Sequence, residues 1–133
     1  MEIKDIILMI ITIFIGSVLT IFLTSLIKMG LLRLFRFLPT RKLFIEYLLM
    51  HAFVVIVIVI LLFFIRIYSM PEAFRIVAPV YIVFSFFEAF YVYDKHMTYE
   101  PITQYSFSMI LSSIINMFLI SFLVFQTISN IYN

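Results

Sequence analysis

Four long apolar runs, separated by short stretches that hold nearly all the charge, set the pattern of this chain. They cover residues 6–27, 47–65, 74–93 and 102–128. Each reaches the roughly 18–20 residues that a helix needs to cross about 30 Å of hydrocarbon. None alternates with period two, so helices are expected rather than barrel strands, and a helix satisfies its backbone polar groups within the segment. The pattern predicts an all-α polytopic membrane protein. It would be a four-transmembrane-helix bundle forming a single integral membrane domain over residues 1–133.

The breaks between runs have their own chemistry. Residues 29–43 form the most basic stretch: Lys28, Arg33 and Arg36 fall on one side of a helical wheel, and Leu31, Leu34, Phe35 and Leu38 on the other. That predicts a basic amphipathic interfacial segment between helices 1 and 2, stopped at Pro39, with Thr40 capping the next helix. Arg33, Arg36, Arg41 and Lys42 are its candidate lipid-headgroup ligands and its topology signal. A connection over residues 66–73 holds Ser69, Pro71 and Glu72, a capping-box pattern that starts the third helix. Pro101 starts the fourth.

Polar residues inside the runs are spaced rather than scattered. In the first run Thr12, Gly16, Thr20 and Thr24 recur every four residues, and Lys28 continues the series. Small residues so placed let another helix approach, while the hydroxyls bond across the contact or back to their own helix. In the fourth run Gln104, Ser108, Ser112 and Asn116 repeat the spacing, and these two stripes are expected to pack together or to receive a second protein. In the third, Ala78, Ser85 and Glu88 or Ala89 mark an inward face.

Glu88 is the only carboxylate inside any run. An acid in hydrocarbon is costly enough to make it a functional candidate by default. His51 is the one ionisable group of the second run, at a comparable depth. Lys28, Gln104 and Ser108 belong to the same half, so Glu88, His51, Lys28, Gln104 and Ser108 are expected to form one intramembrane polar layer, in which Lys28 or His51 would partner the carboxylate.

Composition narrows the function classes. The chain is 65% hydrophobic and 12% charged, the wrong proportions for a water-soluble domain of 133 residues. It has no cysteine, which removes disulfides, thiolate metal sites and cysteine nucleophiles. A net charge of +2 gathered beside apolar segments points to lipid headgroups and not to nucleic acid. There is no phosphate loop, zinc-protease motif or nucleophile elbow, and the two histidines do not make a haem or metal site, so no enzyme activity, cofactor or metal is expected. Glu2, Lys4 and Asp5 are unlike the start of a secretory signal, so the first run is expected to be retained. Six Lys or Arg residues (Lys28, Arg33, Arg36, Arg41, Lys42, Lys95) lie on one side of the expected membrane and three (Lys4, Arg66, Arg75) on the other. The excess predicts a cell (cytoplasmic) membrane protein with both termini outside.

The stretch over residues 88–99, with Glu88, Tyr93, Lys95 and Tyr99, resembles an uncharacterised family of small Gram-positive bacterial membrane proteins. Members carry an acidic residue, then Lys-Tyr, a further lysine and another tyrosine at the end of the third helix; here Val92 stands where the first lysine would be. The resemblance implies a bacterial cytoplasmic membrane and a four-helix layout, and no chemistry. Three functional readings follow. One is a non-enzymatic protein acting through helix contacts with lipids, a membrane-protein partner or a second copy, as accessory subunit, regulator or immunity-type partner. Another is a small proton- or cation-coupled transporter or oligomeric pore using Glu88. A holin-like protein is the third.

Overall fold

The computed structural model describes residues 2–66 and 69–132, the last by its backbone. Part of the expected 66–73 connection, Ile67 and Tyr68, lies outside the described residues. Helix α1 is Ile3–Leu34, α2 Arg41–Phe64, α3 Met70–His96 and α4 Ile102–Tyr132. All four are long and apolar enough to span a membrane, and there is no strand among the described residues. They extend past the apolar runs: α1, with 32 residues, is about 48 Å long.

Short connections make successive helices antiparallel. α1 packs on α2 and α4, and α3 on α2 and α4, in an up-down bundle with α1 and α3 on one diagonal. Two ends result. The basic end holds the close of α1 and α3 and the start of α2 and α4; the terminal end holds the opposite helix ends. Arg33, Arg36, Arg41, Lys42 and Lys95 are exposed at the basic end.

The stop of α1 differs from expectation. The basic stretch does not form a separate helix: Lys28 to Leu34 continue α1, and the chain turns before Pro39 is reached. Arg36 adopts φ 70°, its N–H donates to Arg33 O, and the Phe37 N–H reaches back to Leu32 O at 2.9 Å. This is a Schellman-type cap, in which the hydrophobic residue after the left-handed position packs on the last turn. Phe37 and Leu32 are both buried in one cluster. Burial of Phe37 therefore ends α1 where the sequence pointed to Pro39. Lys28, which the helical wheel places beside Arg33 and Arg36 and the α1 stripe places in the polar layer, points into the bundle. Thr40 caps α2 as its sequence suggests, its hydroxyl accepting from Leu43 N–H, and Ser69 does the same for Glu72 N–H.

Polarity is inverted relative to a water-soluble bundle. Phe53, Phe63, Phe86, Phe87, Phe90 and Phe107 are exposed, whereas Lys28, His51, Glu88 and Asn116 are at most 2% exposed. Lipid tails are as apolar as leucine, so close packing and interhelical polar contacts hold such a bundle together. Its interior is layered. Near the basic end lie Leu32, Phe37, Leu43, Tyr47, Val92, Met97, Tyr105 and Met109; towards the terminal end lie Val54, Ile58, Val77, Tyr81 and Ile120. Lys28, His51, Glu88, Ser112 and Asn116 lie between them.

Candidate functional site: a buried Lys28–Glu88–His51 cluster

Each helix delivers a polar group to this middle layer because its inward face repeats at three or four residues. On α3 that face is Ala73, Val77, Tyr81, Glu88 and Val92; on α2 it includes Leu43, Tyr47, His51, Val54 and Ile58. Lys28 comes from the last turns of α1, and Ser112 and Asn116 from the middle of α4.

Lys28 Nζ lies 3.3 Å from Glu88 Oε1, and His51 Nε2 lies 3.7 Å from Glu88 Oε2. The charge of the Lys28 ammonium, and not directed hydrogen bonding, holds the carboxylate, since neither oxygen accepts a well-aligned bond; His51 adds to that attraction only when protonated. Lys28 also donates to Ser113 Oγ at 3.0 Å, with Met109 Sδ at 3.9 Å and the Tyr81 ring 6.0 Å away. One ammonium thus ties α1 to α3 and α4.

The hydrogen bonds of His51 fix its tautomer. Nδ1 lies 2.9 Å from the Tyr47 carbonyl one turn earlier, which can only accept, so Nδ1 carries the hydrogen. In the neutral ring Nε2 then accepts, and Tyr81 Oη at 3.0 Å donates to it. Asn116 Nδ2 in turn donates to Tyr81 Oη at 2.9 Å and to Thr24 O at 3.3 Å. The chain from Asn116 through Tyr81 to His51 crosses three helices. Oδ1 of Asn116 is buried without a hydrogen-bond partner, as is the hydroxyl of Ser108 about two turns along α4 towards the basic end.

The layer expected from sequence forms around Glu88, His51 and Lys28. Gln104 is a correction: it is exposed, and Tyr105 takes the inward position instead. An exact four-residue repeat advances about 400° per step and drifts about 40° from one face each time, so Gln104 stands about 120° around α4 from Asn116. Thr12, as far from Thr24, is likewise only half-buried. The α1 stripe does face α4 at Gly16, where an added Cβ would lie 2.6 Å from Thr127 Oγ1, and at Thr24. Its hydroxyls bond backwards: Thr12 to Leu8 O, Thr20 to Gly16 O and Thr24 to Thr20 O. Ser112 is buried and bonds Met109 O.

Sequence reading missed Tyr81 and Tyr47. Both are fully buried, and Tyr81 lies seven residues before Glu88, two turns along the same face, which is the signal that could have found it. It also missed a group at the basic end, where Glu46 receives Lys95 at Oε1 and His96 at Oε2, each at 2.6 Å, while Lys95 also donates to Tyr91 Oη. Nothing local in the sequence links residues 46 and 95. The antiparallel α2–α3 pair brings them together.

Comparison of the chain with known protein families, curated proteins and solved structures gave no match.

Proposed function

We propose that this chain is a non-enzymatic multi-pass protein of the bacterial cytoplasmic membrane in which Lys28, Glu88 and His51 take up and release a proton, as the coupling step of a small transporter or oligomeric pore. The observation that carries this reading is the convergence of three ionisable side chains from three helices inside an apolar bundle, each at most 2% exposed. Ionisable groups placed so deep are typical of proton and ion pathways. Lys28 already sits against Glu88 where a metal cation would bind, which favours the proton.

The chemistry is a change of donor and acceptor. A proton arriving at His51 Nε2 turns an acceptor into a donor, places the imidazolium 3.7 Å from the Glu88 carboxylate, and obliges the Tyr81 hydroxyl to release its bond to Nε2. Loss of that proton restores the neutral network.

The reading based on helix contacts drew on the two stripes. Gly16 and Thr24 meet α4 within the chain, so those positions leave less face for a second protein. The resemblance over residues 88–99 supports only a bacterial layout, since Lys95 and Tyr99 lie outside the buried cluster. With Lys28 buried, five basic residues at the basic end still outnumber Lys4, Arg66 and Arg75 at the other, which favours both termini outside.

The test is proton flux into vesicles carrying the purified protein, driven by a potassium-diffusion potential and read with an internal pH dye. The parent acidifies the lumen and Glu88→Gln does not. Equal rates for the two would remove the reading.

A further inference from the structure

We infer that water reaches the buried cluster from the terminal end of the bundle, through a cleft between α1, α2 and α4, and not from the basic end. This rests on the proton reading for its purpose, though not for its geometry. The cleft has a volume of about 120 Å³ and runs from Met9 and Ile131 near the mouth to Thr20, Val55 and Ile120 at its floor. It admits a few water molecules. Much of its wall is aliphatic, but Gly16, Ser17 and Thr20 give α1 a small, polar strip along it that water can bond.

What lies beneath the floor makes it a route. His51 is about one turn below Val55, Asn116 below Ile120 and Thr24 below Thr20, a four-residue step of about 6 Å in each helix. Thr24 and Asn116 are joined there by a hydrogen bond, and Asn116 leads through Tyr81 to His51. A proton arriving by way of water in the cleft therefore meets the Tyr81–His51 pair before Glu88, with Asn116 holding the Tyr81 hydroxyl in place and carrying no proton itself. A second pocket, of about 210 Å³ and lined by Met109 and Ser113 beside Lys28, faces sideways among the exposed, lipid-facing Ile82, Phe86 and Ile110 of α3 and α4, and so offers no path to the basic end. Between the cluster and the basic end lie Leu32, Leu43, Tyr47, Val92, Tyr105 and Met109, each at most 5% exposed. Beyond that seal, Glu46 clamps α2 to α3 through Lys95 and His96.

The chain contains no cysteine, so single-cysteine variants report position without background. Thiols react as thiolates and need water to do so. Thr20→Cys and Val59→Cys in the cleft, and Leu43→Cys and Val92→Cys in the seal, are exposed to a membrane-impermeant thiol reagent in sealed vesicles, with Asn130→Cys and Thr98→Cys marking the terminal and basic sides. The expected result is labelling of the two cleft variants from the Asn130 side alone and loss of labelling at the two seal positions from both sides. Labelling of Leu43→Cys or Val92→Cys from the Thr98 side, or no labelling of either cleft variant, overturns the inference. One-sided labelling without Glu88-dependent proton flux would leave the route standing and remove the proton reading; Glu88-dependent flux with unreactive cleft variants would do the reverse.

Discussion

Lys28 and Glu88, 3.3 Å apart, attract each other by about 5 kcal/mol if the effective dielectric is near 20. Removing either ion from water costs several kcal/mol, so the pair gains little over two apolar side chains of the same size. Breaking it is another matter. Glu88→Gln strands a buried ammonium and should lower stability by about 3–5 kcal/mol, whereas Lys28→Met combined with Glu88→Leu should recover most of that loss. Thermal unfolding in mild detergent separates the two cases, and a double variant no more stable than Glu88→Gln would mean that the charges themselves hold the bundle together. Glu88, His51 and Lys28 were legible in the sequence because a charge in an apolar run has few places to go. Tyr81 and Tyr47 were not, since an aromatic residue in such a run reads as lipid-facing until the opposite helices show what its hydroxyl meets.

Helix boundaries depend on contacts that no local pattern carries. Pro39 marked a stop, but α1 ends earlier because Phe37 folds back onto Leu32 and forces Arg36 into the left-handed region at φ 70°. A non-glycine residue there costs about 1–2 kcal/mol. Arg36→Gly should therefore raise the unfolding midpoint, by an amount equivalent to about 1 kcal/mol. An unchanged or lower midpoint would show that the arginine side chain contributes more than the backbone strain removes. The α1–α4 contact is also specific. Gly16→Leu places its Cβ against Thr127 Oγ1 and should cost about 1–3 kcal/mol through overpacking. If folding and assembly were unaffected, the stripe would not be a packing face. The stripes themselves were legible as small and polar repeats; their ends were not, because a four-residue period leaves one helix face after two or three steps.

As a whole, the molecule has polar groups in its interior and most of its phenylalanines outside, and the ends of its bundle differ. One end is basic, sealed and clamped by Glu46, Lys95 and His96; the other has a cleft that stops one turn short of His51 and Asn116. Four apolar runs gave away the helices and their antiparallel order. The cleft and the seal emerge only when side chains from three or four helices meet, so no single run announces them. On the proposed reading, this asymmetry around a charged centre is what a proton-handling bundle would use and one that merely tolerates a buried ion pair would not need.

The measurement that bears most directly on this distinction is proton flux through vesicles carrying the Lys28→Met/Glu88→Leu double variant, compared with the parent after both are shown to be folded. The expected result is a folded bundle with no flux above protein-free vesicles, because the packing survives and the proposed proton-handling groups do not. Flux at the parental rate would show that the charged pair serves the fold alone, and would contradict the account.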